Sequence, residues 1–162
     1  IAREHRPLPG GRGVPLVHQH LIYPMLDDRQ ATPSSRWDLL PIWSREMNAF
    51  AWQCYLGDLY GSDAVPADAA PARAEDLTGL PPAYIHVGGN DGFLHENVDY
   101  AHRLVAAGVP TELHVFPHVP HAFDLIAPDA AVTRAATALS DAALTRVLAV
   151  GAATPARDGS RT

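Results

Sequence analysis

Apolar positions in the second half of the chain predict strands and helices that alternate. Residues 83–87 form a short apolar run that ends in Gly88-Gly89, as expected of a buried strand, and residues 112–116 form a second short run that predicts another strand. Each run is followed by apolar residues at helical spacing. The order strand, helix, strand, helix is typical of parallel βαβ crossovers. The helical stripes are Leu94, Val98, Ala101 and Val105, then Val132, Ala135, Ala136, Leu139, Ala143 and Val147.

The first half carries weaker periodicity. Residues 16–23 are a β-compatible run, residues 27–41 are mixed and predict a loop, and residues 58–82 are rich in Ala, Pro and Asp and predict irregular structure. A helix is predicted over 44–56. Because only three strands are visible and doubly wound sheets are usually larger, the chain is predicted to form one edge of such a sheet. The stripe of the 44–56 helix is Met47, Phe50, Ala51 and Cys54.

Composition excludes several classes of function. The 162 residues suit one domain, and the net charge of −6 without a basic cluster argues against nucleic acid as a partner. No apolar run approaches the roughly 20 residues that span a bilayer. Cys54 stands alone, which excludes an internal disulfide and favours a reducing, cytoplasmic location. The start of the sequence has neither Met nor the apolar core of a signal peptide, so we expect a piece of a longer protein.

Two loops occupy the place where open α/β sheets bind ligands, beyond the carboxyl ends of the strands. One is residues 88–92, which contain Asp91, and the other is residues 117–121, which end in His121. A histidine whose second ring nitrogen is held by a carboxylate can activate a weak nucleophile such as a serine hydroxyl. A Ser–Asp–His order along the chain is known for one class of triads, and Asp91 before His121 keeps its last two members in sequence.

A series of motifs resembles the hormone-sensitive-lipase-like esterases, which have the α/β-hydrolase fold, over about residues 16–148. The resemblance implies that Asp91 is the triad acid, that His121 is the triad base, and that residues 27–82 include a pocket or cap-like segment. Trp37, Trp43 and Phe50 are its candidate pocket residues. The motifs are Leu21-Ile22-Tyr23-Pro24-Met25-Leu26-Asp27, Gly79-Leu80-Pro81-Pro82, Asp91 followed by Glu96, Tyr100-Ala101, Arg103-Leu104, Ala107-Gly108-Val109-Pro110 and Pro120-His121-Ala122-Phe123.

Three departures from the family pattern are visible. Leu94-His95-Glu96 stands where members often carry Arg-Asp-Glu, and Ala122 stands where they often carry Gly. Both departures are mild. The third is larger, because none of the serines lies in Gly-x-Ser-x-Gly and no His-Gly-Gly-Gly-type loop is present. The chain is therefore expected to supply the acid and base of a carboxylic ester hydrolase and to be inactive alone.

The domain organisation that follows has three parts. Residues 1–15 are expected to be a loop or the remnant of a preceding helix, residues 16–150 the C-terminal portion of the hydrolase domain, and residues 151–162 a disordered tail. A small ester is the expected substrate, and no cofactor or metal is implied.

Several alternatives remain open. Asn90-Asp91-Gly92 also suits a simple turn. The histidines at 114, 118 and 121 invite a zinc site, although a strand followed by a proline-containing loop does not gather ligands as a helix would. The chain could also be a non-catalytic interaction module derived from a hydrolase. In either case the edge of the 16–23 strand is predicted to promote self-association.

Overall fold

The computed structural model describes residues 16–38 and 40–153, with side chains up to residue 149. The predicted segment at 1–15, Leu39 and the part of the predicted tail from 154 onward lie outside the described residues. The elements are β1 (Gln19–Ile22), α1 (Arg45–Leu56), β2 (Ala83–Gly88), α2 (Leu94–Ala106), β3 (Thr111–Phe116), α3 (Phe123–Ile126) and α4 (Ala131–Ala153), with 3₁₀ turns at Ser34–Arg36, Gly57–Leu59 and Pro71–Arg73.

The three strands form one parallel sheet in the order β1-β2-β3. His20 of β1 is level with Tyr84 of β2, which is level with Glu112 of β3. Each crossover contains a helix, and the α/β class predicted from the apolar runs is confirmed. Because β2 lies between the other strands and is buried along its whole length, it fixes the positions of both neighbours.

The two faces of the sheet have different chemistry. On the α2 face, Ile85 of β2 packs with Tyr100, Ala101 and Leu104 of α2 in an apolar core. The side chains of the other face point the opposite way, since successive residues of a strand alternate. There His20 stacks on Tyr84 with ring centroids 4.7 Å apart, and its Nε2 hydrogen-bonds Ser140 of α4 at 2.8 Å. The sheet is thus covered on one side by an apolar layer and on the other by a layer rich in imidazole and hydroxyl groups.

The predicted stripe of α1 lies on the wrong side of the helix. Met47, Phe50 and Cys54 are exposed, and the buried face instead contains Trp52 and Leu56, which pack against Val65 and Ala70. The helix has apolar residues on both sides. Tertiary packing therefore decided which side is buried, and residues 58–82 fold back over Trp52.

The predicted stripe of α2 is wrong at its C-terminal end. Val105 is 59% exposed, whereas the polar residues Glu96 and Asn97 are buried. Their burial depends on hydrogen bonds to a neighbouring loop, which apolar periodicity does not report.

An ion pair fastens the irregular segment to the end of β1. Arg73 donates from Nε and Nη2 to the two carboxylate oxygens of Asp28, at 2.7 and 2.8 Å. Asp28 is buried, and a paired geometry of this kind is what makes burial of a carboxylate tolerable.

No helix in the described part of the chain is long and apolar enough to cross a membrane.

His86 makes the stability of this fold sensitive to acid. Its side chain is buried on β2, and desolvation lowers its pKa from 6.5 to about 4, against opposing attraction from Asp124 and with further repulsion from His20 and His114. A base whose pKa falls on folding binds fewer protons when folded. Its stabilising contribution is therefore complete above about pH 6.5 and is lost as the pH falls towards 4.

We expect the free energy of unfolding to decrease by up to about 3 kcal/mol between pH 6.5 and 4 on account of His86. The His86→Leu variant should be less dependent on pH over this range, which urea unfolding at several pH values would measure. His102→Leu, which removes an exposed imidazole on α2, is the matched control. Equal pH slopes in wild type and His86→Leu would contradict the assignment.

Candidate active site

Two glycines bring the ends of β2 and β3 unusually close together. A Cβ at Gly88 would collide with the carbonyl oxygen of Val119, and one at Gly89 would press on the backbone at Phe116. The amide of Gly89 donates to the Phe116 carbonyl at 2.7 Å, and the amide of Asn90 donates to the Val119 carbonyl at 3.0 Å. The loop after β3 is therefore fastened along the loop after β2 by direct backbone contact.

This contact sets Asp91 beside His121. The Nδ1 of His121 lies 2.9 Å from Oδ2 of Asp91, and a carboxylate oxygen can only accept, so Nδ1 carries the proton. The other carboxylate oxygen of Asp91 accepts the backbone amide of Phe93 at 3.0 Å. Asp91 is 1% exposed. Both of its oxygens are thus satisfied, and the imidazole is held in one tautomer by a buried partner.

Three aromatic rings enclose the imidazole of His121. Tyr23 lies nearest, with ring centroids 4.5 Å apart, followed by Phe93 at 5.2 Å and Trp43 at 5.7 Å. Among the described residues, Nε2 of His121 has no hydrogen-bond partner. The arrangement leaves Nε2 without a hydrogen-bond partner in the described part of the chain, while the rest of the ring is packed.

The predicted pocket residues separate in the structure. Trp43 lies against His121, and Trp37 lies against His95 with ring centroids 5.7 Å apart. Phe50 is 68% exposed on the outer side of α1. The structure thus brings Asp91, His121 and Trp43 together, whereas Trp37 contacts His95 and Phe50 lies exposed on α1.

Buried Ser34 attaches the segment that contains these tryptophans to the site. Its hydroxyl donates to the carbonyl of Gly92 at 2.8 Å and accepts the amide of His95 at 3.0 Å. Its own amide donates to Nδ1 of His95 at 3.2 Å. Ser34 is therefore a structural residue here, and its place in the sequence gives no signal of that role.

A buried polar pair on α2 holds the segment that follows β1. Glu96 accepts the amide of Leu26 at 2.7 Å, and the side-chain amide of Asn97 donates to the carbonyl of Pro24 at 2.9 Å. Burial raises the pKa of Glu96 to about 8, against the lowering effect of the Leu26 and Asp27 amides and with smaller contributions from the charges of Asp27 and Asp91. This shift favours the neutral carboxyl group and so reduces the negative charge near Asp91.

The other histidines of the β3 region do not converge with His121 on a metal geometry. Nε2 of His114 hydrogen-bonds Glu112 at 2.7 Å, and Nδ1 of His121 is engaged by Asp91. Over residues 16–38 and 40–153, no group of three or more potential ligands is arranged to hold a metal ion.

Comparison with known protein families agrees with a buried acid–histidine pair at the carboxyl edge of a parallel sheet. A model described as alpha/beta hydrolase fold matches residues 2–125. This chain belongs to the α/β-hydrolase family. Within that family it is similar to the hormone-sensitive-lipase-like members, including a solved esterase of the bacterial hormone-sensitive lipase family at 27% identity and a TM-score of 0.69 over 78% of this chain and 42% of that one.

More similar relatives agree. The carboxylesterase NlhH of Mycobacterium tuberculosis is 38% identical over 84% of this chain and 43% of its own length. A bacterial heroin esterase structure is 41% identical, with a TM-score of 0.79, over 83% of this chain and 44% of that one. Esterase LipW from Mycobacterium marinum is 36% identical with a TM-score of 0.76, over 83% of this chain and 41% of that one. The chain thus spans less than half the length of these relatives.

The residue after His121 is strained. Ala122 has φ +54° and ψ +30°, a left-handed conformation that costs an L-residue roughly 1 kcal/mol and glycine almost nothing. The departure from the family pattern at this position therefore has a physical consequence.

We expect Ala122→Gly to raise the free energy of unfolding by up to about 1 kcal/mol, measured by chemical denaturation. Ala127→Gly is the matched control, because Ala127 has φ −131° and a glycine there adds unfolded-state entropy without relieving strain. If both variants lose the same stability, the strain at Ala122 is not real.

Proposed function

We propose that Asp91 and His121 are the acid and base of a Ser–Asp–His triad in a carboxylic ester hydrolase. The observation that carries the proposal is the 2.9 Å contact between Nδ1 of His121 and buried Asp91, with Nε2 left free. Similarity to carboxylesterases supports the class of reaction.

In the proposed reaction, Nε2 of His121 removes the proton of a serine hydroxyl as its oxygen attacks the ester carbonyl. Asp91 holds the ring and stabilises the imidazolium that forms. The imidazolium then gives its proton to the departing alcohol, which leaves an acyl-serine. A water molecule, deprotonated by the same nitrogen, attacks this second ester. The imidazolium then returns the proton to the serine oxygen as the carboxylic acid is released.

The nucleophile is not recognisable within these 162 residues. The sequence contains no Gly-x-Ser-x-Gly, and the two buried serines of the segment after β1 have structural partners: Ser34 donates to the carbonyl of Gly92, and Ser35 donates to the carbonyl of Thr32. We therefore propose that the chain contributes two members of the triad and that a serine outside it contributes the third.

The test uses a fusion protein, called the joined protein. In it, this chain is fused to the part of the carboxylesterase NlhH that the match does not cover. Hydrolysis of p-nitrophenyl butyrate would be measured. We expect the joined protein to turn over ester and the 162-residue chain alone to show none. His121→Ala and Asp91→Asn should each lower kcat by about 10⁴-fold in the joined protein, because the base or its tautomer is lost.

His118→Asn is the matched control for this series. His118 is an exposed histidine on the same loop with φ +61°, a conformation that Asn tolerates, so its replacement should change kcat by less than about twofold. A folded joined protein whose activity does not depend on His121 would refute the proposed roles.

A second proposal concerns association, and the free side of β1 supports it. Within the described residues β1 pairs with β2 alone, and Val17, just before the strand, is 66% exposed. An open strand edge with apolar neighbours tends to pair with another chain. We infer that the isolated chain self-associates through this edge, whether or not it also takes part in catalysis.

We expect Val17→Lys to shift the isolated chain towards monomer in light scattering, because a lysine at a strand edge opposes pairing. Val105→Lys, which adds the same charge to an exposed position on α2, should leave the molar mass unchanged. A wild-type chain that is a monomer throughout the micromolar range would contradict the inference.

We also propose a small ester as the substrate, no nucleic-acid partner and a cytoplasmic location. The free thiol of Cys54, which is exposed, is compatible with the last of these.

A further inference from the structure

The backbone at the end of β1 is held in place by several hydrogen bonds. The amide of Tyr23 donates to the carbonyl of His86 at 2.7 Å, and Tyr23 itself has φ +35°, which is rare for a residue with a side chain. The next residue, Pro24, is held through its carbonyl by the side-chain amide of Asn97. Because the backbone is held on both sides of Tyr23, the orientation of its side chain is restricted.

That direction is towards His121. The two rings meet nearly edge to face, with centroids 4.5 Å apart and planes inclined by 67°. The phenol hydroxyl continues past the imidazole and donates to Oδ1 of Asp124 at 3.0 Å. Tyr23 therefore contacts the His121 loop at two points, the ring of the histidine and a carboxylate three residues further along the chain.

The loop needs such support from outside. It contains two residues other than glycine with positive φ, His118 and Ala122, and it leads into α3, which is only four residues long. A single short helix cannot hold strained backbone in place by itself. Burial and the neighbouring Asp124 raise the pKa of Tyr23 to about 12, so the hydroxyl remains a donor at every pH at which an esterase would work.

We propose that Tyr23 is a positioning residue that holds the His121 imidazole against Asp91, by packing on its ring and by tying Asp124 to the end of β1. Asp91 fixes one nitrogen of the ring, and Tyr23 opposes rotation of the ring away from that contact. This proposal rests on the proposed function for its catalytic meaning, but the positioning itself is a property of this chain.

The first test uses NMR on the 162-residue chain. The Nδ1 proton of His121, bonded to a carboxylate, should give a separate downfield resonance that Asp91→Asn removes. We expect Tyr23→Phe to weaken this resonance through faster exchange with water, since the ring stays and the tie to Asp124 is lost. Tyr23→Leu should abolish it. Asp124→Ala should match Tyr23→Phe, and the double variant should add nothing, because both remove the same hydrogen bond.

Tyr100 provides matched controls. It is a buried tyrosine on α2 whose hydroxyl donates to Gln19 at 3.4 Å, remote from the His121 loop. Tyr100→Phe and Tyr100→Leu should leave the His121 resonance as in wild type even where they lower stability. A resonance that survives Tyr23→Leu, or that Tyr100→Leu weakens equally, would overturn the proposal. Should Tyr23→Leu not fold, the Tyr23→Phe and Asp124→Ala pair decides by the same criterion.

The second test uses the joined protein that contains this chain and part of NlhH. Tyr23→Leu should lower kcat by about 10- to 100-fold, with KM changed less than about threefold, since a displacement near 1 Å of a catalytic group has an effect of this size. Tyr23→Phe should recover most of that loss. Failure of the two proposals is distinguishable: a folded joined protein whose activity does not depend on His121 refutes the triad alone, whereas unchanged kcat and resonance in the Tyr23 variants of an active protein refute the positioning alone.

Discussion

The close approach of the loops after β2 and β3 is the constraint on which the candidate site depends. It requires the absence of a side chain at Gly88, and it allows backbone hydrogen bonds that set the second loop directly above the first. Asp91 and His121 are 30 positions apart in the chain, yet the geometry between them is fixed by this short-range contact. Any residue larger than glycine at position 88 would separate the loops and the pair together.

Buried polar groups then connect this contact to the remainder of the chain. Ser34, Glu96 and Asn97 each use hydrogen bonds to hold an irregular segment against α2 or the turn before it. Irregular backbone cannot satisfy its own amides and carbonyls as helices and strands do, so these side chains supply the partners. Burial raises the pKa of Glu96 to about 8, which favours its neutral form and so limits the charge near Asp91.

The strands of the second half and the contact between Asp91 and His121 could be predicted from the sequence, because each strand and the loop after it carries its own signal. The apolar run at 83–87 and the loops that follow strands 2 and 3 are visible without tertiary information, and the edge rule for parallel sheets places Asp91 and His121 together. Helix faces were harder. α1 has apolar residues on two sides. The side that contains Trp52 is buried because it packs against Val65, which lies outside the helix, and the side that contains Phe50 is exposed.

Other parts of the site carried no such signal. Ser34 and Glu96 act through hydrogen bonds to backbone groups about 60 to 70 positions away, and no spacing in the chain encodes those contacts. Tyr23 could have been found, because it follows a strand at the same sheet edge as Asp91 and His121. A tyrosine in the sequence does not by itself indicate a positioning role. That role follows from the contacts of its ring with His121 and of its hydroxyl with Asp124.

The division of the site between segments has a consequence for how a complete triad would assemble. The contacts to His121 that the described residues provide include those of Asp91 after β2 and of Tyr23 at the end of β1, which also bonds Asp124 of α3. If the proposed roles hold, the Asp91–His121 pair is organised by contacts within the described residues, before a nucleophile is supplied. Organising two groups in advance removes their ordering from the cost of the chemical step. A serine presented to this pair would then need only its own position to be set, because the base that must accept its proton is already held in one tautomer with Nε2 free.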